Sequence, residues 1–124
     1  MINQVKEYLE LLQEVDGVRS IVLTGSDGLL IENIDLSTKT DPDVIAAMVA
    51  GMFGMMKRSI LRIDSGENII KGDMNQLTLE LSDAKIFAVK VNDSFLSVIT
   101  YGNVNLGLLR LYINKVAEKI SGII

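Results

Sequence analysis

The stretch Ile45-Ala46-Ala47-Met48-Val49-Ala50-Gly51-Met52-Phe53-Gly54-Met55-Met56 runs for twelve residues without a polar side chain, in a chain that is 23% charged. Such a segment is expected to be hidden on every side. Asp41-Pro42-Asp43 before it reads as a helix start, with Asp41 as N-cap, Pro42 at the first helical position and Asp43 at the positive end of the dipole. The apolar run is therefore helical. At about 1.5 Å per residue it spans roughly 18 Å, short of a hydrocarbon core of about 30 Å, and Lys57-Arg58 close it. It reads as a buried helix and not as a membrane span.

Steps of about 100° around the axis separate two arcs. Val44, Ile45, Met48, Val49, Met52, Phe53, Met55, Met56 and Ile60 form a large one. It suits a sheet, where Met fills gaps, although a Met-rich surface also suits a promiscuous groove. Ala46, Ala47, Ala50, Gly51 and Gly54 form a small one. It invites the close approach of another backbone, despite a cost of about 1 kcal/mol for each Gly relative to Ala in a helix. Another helix of the chain could cover it, but helical segments are few and a partner subunit is the favoured cover.

The rest of the composition narrows the function. Length 124 fits one domain, long enough to bury about two thirds of its unfolded surface. The net charge of -4, with no basic stripe, argues against nucleic acid and anionic lipid. Without Cys or His there is no disulfide framework, thiolate, imidazole base or nitrogen-ligated metal, so neither enzyme chemistry, metal nor cofactor is expected. Met1 to Tyr8 has neither a basic n-region nor an apolar h-region, so the chain is expected to stay in the cytoplasm without membrane insertion.

Outward from the apolar run, the pattern predicts eight elements. Ile2, Val5, Tyr8, Leu9, Leu12 and Val15 recur at helical spacing before Gly17. Val18–Thr24 and Leu29–Ile34 flank the turn Gly25-Ser26-Asp27-Gly28 as a hairpin, and Ile21-Val22-Leu23 predicts a central strand covered on both faces. The second helix is expected to end near Ile63, before Asp64-Ser65-Gly66, with a loop to about Asn75. Leu77, Leu79 and Leu81 then alternate as a half-exposed strand; Lys85–Val91 and Phe95–Thr100 complete a meander. A last helix covers about Asn105–Ile120, with Leu106, Leu109, Ile113, Val116 and Ile120 on one side. The order α-β-β-α-β-β-β-α predicts one layered α/β (α+β) domain over residues 1–124, a five-stranded, mainly antiparallel sheet with helices packed on it.

Val18-Arg19-Ser20-Ile21-Val22-Leu23 leading to Asp27-Gly28-Leu29, the Ala-rich helix around Ala46-Ala47, and Asn105-Leu106-Gly107-Leu108-Leu109-Arg110 opening the final helix resemble the roadblock family over nearly the whole chain. That family includes the roadblock-type dynein light chains, lysosomal signalling scaffolds, and bacterial and archaeal GTPase regulators. The resemblance implies a profilin/longin-like fold and a homodimer in which second helices meet and third strands, here with Leu77 and Leu79, pair edge to edge. It also implies a platform for a small Ras-like GTPase or other assembly components, without chemistry of its own. The chain is expected to be little more than the bare domain. A structural adaptor without nucleotide dependence is one alternative. A small-molecule sensor of the PAS or GAF kind is another, and would require an empty cavity.

Each candidate site has a plainer reading beside it. Lys57, Arg58 and Arg62 complement the negative helix end, or else Lys57 and Arg58 meet an acidic GTPase surface. Arg110 could be an arginine finger only if it reached a γ-phosphate in another protein. Asn105 and Gly107 serve the entry to the last helix. Gly25-Ser26-Asp27-Gly28 lacks the Lys and following helix of a phosphate loop and reads as a turn. Asn92-Asp93-Ser94 matches a glycosylation acceptor but is expected to be a turn, and Asp41 and Asp43 are expected to cap rather than bind a cation.

Overall fold

A computed structural model describes residues 2–37, 39–63, 70, 72 and 74–124, with side chains from Gln4 onward. The expected helix stop at Asp64-Ser65-Gly66, most of the loop after it and the Ile2 side chain lie outside the described residues. Helix α1 (Ile2–Glu10) tightens into a 3-10 turn over Leu11–Glu14, where a single α-helix is expected from the periodicity. Three residues per turn bring Leu9, Leu12 and Val15 into line, and all three are buried. Gly17 then takes φ +98°, a left-handed conformation open to glycine at little cost, and its carbonyl accepts from the Tyr101 amide at 2.8 Å.

Strands β1 (Val18–Gly25) and β2 (Leu30–Asp35) form the first hairpin. At its turn the Asp27 carboxylate accepts from the Leu29 amide at 3.0 Å, and Gly28 has φ +85°. Strands β3 (Gln76–Glu80), β4 (Ala84–Val91) and β5 (Ser94–Tyr101) form the meander. The antiparallel sheet has the order β2-β1-β5-β4-β3. The centre is thus β5, and β1 is second from the edge. The expected double coverage of β1 holds: Ile21, Val22 and Leu23 are all fully buried, Ile21 and Leu23 on one face and Val22 on the other. Arg19 is the extra residue where the β1–β5 register shifts, and its guanidinium lies 4.6 Å from the centroid of the Tyr101 ring.

The larger core lies between one sheet face, α1 and helix α3 (Leu106–Ser121), with Leu109, Ile113, Val116 and Ile120 buried as the last-helix stripe predicts. Asn105 caps α3, its side-chain oxygen accepting from the Leu108 amide at 3.1 Å. On the other face, helix α2 (Pro42–Ile63) crosses from the β2 edge toward the β3 edge. The Asp41 carboxylate accepts from the Asp43 and Val44 amides at 3.1 and 3.4 Å, so the expected cap is present.

Helix α2 departs from expectation in its burial. Only Ile45, Ala46, Val49 and Phe53 are buried, in a smaller core with Val22, Ala88 and Phe95. Val44 is 61% exposed and Met55 52%, so the run is not hidden on every side within one chain. Nor does the large arc as a whole face the sheet; the sheet-facing line takes its large side chains from one edge of that arc and Ala46 from the small one. A helix resting on a sheet covers about a third of its circumference, and here the β1–β2 turn reaches the Ala47 and Ala50 side while Val44, Met48 and Met55 stay exposed. At 22 residues the complete helix is also long and apolar enough to cross a membrane by length and composition alone. Its packed stripe and its Lys57, Arg58 and Arg62 mark it as a core helix instead.

This placement separates two neighbours. Ala46→Leu pushes volume into the packed side and is expected to cost about 1–3 kcal/mol, whereas Val44→Leu on the exposed side is expected to stay within about 0.5 kcal/mol. Urea denaturation of both variants measures the difference.

Candidate interaction surface

The exposed part of α2 follows from its buried stripe. With Ile45, Ala46, Val49 and Phe53 against the sheet, helical geometry places Ala47, Ala50 and Gly54 on one flank and Met48, Met52 and Met55 on the other. The first flank passes the β1–β2 turn. A Cβ on Gly28 would stand 3.7 Å from the Ala47 Cα and 3.8 Å from the Ala50 Cβ, so the backbone that approaches these small residues is the chain's own hairpin. The second flank looks along the sheet toward β4 and β3. There Leu77 is half-buried and Leu79 exposed, both on the α2 side of the edge strand β3.

Between the flanks runs an outer ridge of Val44, Ala47, Gly51 and Met55, with Arg58 and Arg62 continuing it. No charged side chain interrupts the ridge before Arg58. A Cβ added at Gly51 would meet nothing within 4 Å, so the ridge has its lowest point at its middle. At the helix end Lys57 and Arg58 are exposed, and the Ser59 hydroxyl donates to the Met55 carbonyl at 3.0 Å.

The residues expected at a subunit interface therefore separate. Ala46 is 0% exposed in the single chain and is not available to a partner, because it fills the space between helix and sheet. Ala47 and Ala50 turn toward Gly28, Gly51 points outward, Gly54 lies beside a cavity, and Leu77 and Leu79 belong to the β3 edge. The methionine flank is absent from the expected interface because its size suits the sheet; Met52 does pack against the sheet core, while Met48 and Met55 are exposed. Their i, i+4, i+7 spacing is the signal that groups them.

The remaining candidates lie elsewhere. Arg110 is on α3, on the opposite sheet face from Lys57 and Arg58, with its guanidinium 6.0 Å from the Phe87 ring centroid. Asn92, at φ +54° in the β4–β5 turn, donates from its amide to the Ser121 and Ile124 carbonyls at 3.0 and 3.1 Å. No cluster of three or more acidic side chains able to hold a metal occurs among the described residues.

Comparison with known proteins adds four findings. Residues 4–100 match the Roadblock/LC7 domain. An uncharacterized protein of Methanocaldococcus jannaschii is 32% identical over 120 residues, 97% of this chain and 96% of that protein. Among solved structures, MglB of Myxococcus xanthus is similar at TM-score 0.86 with 19% identity, covering 99% of this chain and 89% of that one. A Roadblock/LC7 domain from Streptomyces avermitilis is similar at TM-score 0.75 with 23% identity, covering 90% and 88%.

The open ridge makes Gly51 diagnostic. In a dilute, monomeric chain Gly51→Ala is expected to stabilise by about 0.5–1 kcal/mol, since helix propensity rises and nothing is displaced. A second helix packed across Gly51 would reverse the sign. Thermal midpoints over a series of protein concentrations distinguish the two.

Proposed function

The chain belongs to the Roadblock/LC7 domain family, and from that premise we propose that it is a cytoplasmic homodimeric platform, without chemistry of its own, that binds a small Ras-like GTPase and regulates or scaffolds it. The observation that carries this reading is the outer ridge and methionine flank of α2, apolar for three turns on the same sheet face as an edge strand that has no second neighbour among the described residues. Contiguous apolar surface next to an unpaired edge is a liability for a monomer and an interface for a dimer. Two copies related by a two-fold axis would set ridge against ridge at Gly51 and continue the sheet through β3, with Leu77 and Leu79 at the junction.

The basic ends of the two α2 helices would then lie on a composite surface. Lys57 and Arg58 on each protomer supply positive charge to an otherwise acidic protein, suited to steering an acidic partner. A platform of this kind acts by geometry. It stabilises whichever switch conformation of the GTPase it fits better, by its differential affinity for the two nucleotide states. Because the surface straddles the axis, one bound GTPase excludes a second.

Two measurements test the reading. Met48→Glu with Met55→Glu places charge at positions exposed in the single chain, so the fold is expected to survive while the dimer loses several kcal/mol. Sedimentation should show dimer for the wild type and folded monomer for the variant; a monomeric wild type at micromolar concentration refutes the dimer. Calorimetry with a GTPase captured from the source lysate should give one GTPase per two protomers and unequal affinities for its GTP-analogue and GDP forms. Lys57→Glu with Arg58→Glu should slow association about tenfold at low salt and less as salt rises. Equal affinity for both nucleotide forms would leave the adaptor reading, and unchanged association would remove Lys57 and Arg58 from the surface.

A further inference from the structure

The two edges of the sheet differ in whether another strand can pair with them. In an antiparallel ladder the backbone groups of alternate residues address opposite sides. The Leu36 amide donates to the Arg19 carbonyl at 2.9 Å, so Leu36, Ile34 and Glu32 face β1, while Asn33 and Asp35 turn their backbone groups outward. The Asn33 amide is already engaged there. It donates to Glu32 Oε1 at 3.0 Å, from a carboxylate folded back over its own strand. Just before Glu32, Ile31 is the extra residue where the β1–β2 register shifts, which bends the strand. Just after β2, the Ser37 amide and hydroxyl donate to the Asp35 carboxylate at 3.0 and 3.1 Å and turn the chain away.

The other edge is built the opposite way. The Lys90 amide donates to the Asn75 carbonyl and the Leu81 amide to the Ala84 carbonyl, both at 2.8 Å, so Gln76, Thr78 and Glu80 present the outward groups of β3. This strand keeps one register with β4 throughout, and among the described residues no side chain accepts from those three amides.

The surroundings of β2 give its closure a purpose. Leu29, Ile31 and Leu36 stand along that edge, all exposed, so an unguarded β2 would offer a second copy both a free amide and apolar side chains. We infer that the Glu32 carboxylate shuts the β2 edge against pairing with a second copy of the chain, which confines extension of the sheet to β3. Occupying the outward amide removes a donor that an incoming strand would use, and two β2 edges brought together would set two Glu32 carboxylates near each other. The guard decides how far assembly goes. A two-fold contact through β3 alone closes at two copies, whereas a second two-fold contact through β2 would alternate with it and never close. That count of copies rests on the dimer proposed above; the closure of β2 does not.

Glu32→Ala in the full-length chain removes the acceptor while adding little apolar surface. In dilute solution its Asn33 amide is expected to exchange with solvent about tenfold faster than in the wild type, read by NMR. At rising concentration the variant should associate about tenfold more tightly than any further association of the wild type, and its Asn33 amide should become protected again. Sedimentation separates this inference from the dimer. If the wild type is a dimer, the variant forms an open-ended series; if the wild type proves monomeric, the variant forms discrete pairs through β2, and the guard stands without the dimer. Equal Asn33 exchange in wild type and variant, a sedimentation profile unchanged at every concentration, or association without renewed Asn33 protection would each overturn the inference. Should Glu32→Ala not fold, the same measurements on Glu32→Thr decide, since Thr favours a strand and is too short to hold the Asn33 amide as Glu32 does.

Discussion

Val18 to Gly25 and Ser94 to Tyr101 pair as an antiparallel ladder, and both hydrophobic cores are organised around that contact. It joins two units that form locally, the β1–β2 hairpin and the β3–β4–β5 meander, and brings the first strand beside the last. The entropy of closing so long a loop grows only logarithmically with length. What offsets it is burial on both faces of β1: Ile21 and Leu23 meet α1 and α3, while Val22 meets α2. Once the ladder exists, α1 and α3 must share one face, and α2, the crossover between the sheet's two edges, must take the other alone.

That solitude of α2 explains what was legible in the sequence and what was not. Local signals carried far: the Asp41 cap, the Asn105 cap, the turns at Asp27-Gly28 and Asn92-Asp93, and all five strands lie where residue chemistry puts them. Two features need tertiary information. The 3-10 turn after Glu10 answers to the alignment of Leu9, Leu12 and Val15 under β1, which helical periodicity alone does not reveal. The orientation of α2 is set by which third of its surface meets the sheet, and in an all-apolar run side-chain size is a poor guide to that. Ala46 lies underneath because the helix sits close to the sheet there, and Met48 and Met55 lie outside because nothing among the described residues covers them. The exposed apolar surface of α2 was legible as a surplus of apolar area, but the flank that carries it, and the cavity beside Gly54, were not.

The sheet thereby has two unlike faces. The α1/α3 face is closed, with a continuous core and with the chain end held by the Asn92 side chain. The α2 face is unfinished, with a thin core, a ridge bare of charge, a basic helix end and a cavity. Arg110, on the closed face, is remote from Lys57 and Arg58, so a partner that engages one set does not at the same time engage the other. The proposed association would use the second face, and stability of the single chain belongs mostly to the first.

Four of the chain's six methionines stand on α2, at positions 48, 52, 55 and 56, and the chain contains no cysteine. Thioethers are thus its only oxidisable sulfur. Sulfoxide formation turns a flexible apolar side chain into a polar, chiral one. Met55, Met56 and Met48 are all exposed in the single chain, in that order, and the association proposed above would shield Met48 and Met55. In the proposed dimer that surface would then record whether two copies were apart when an oxidant passed, until a sulfoxide reductase erased the mark.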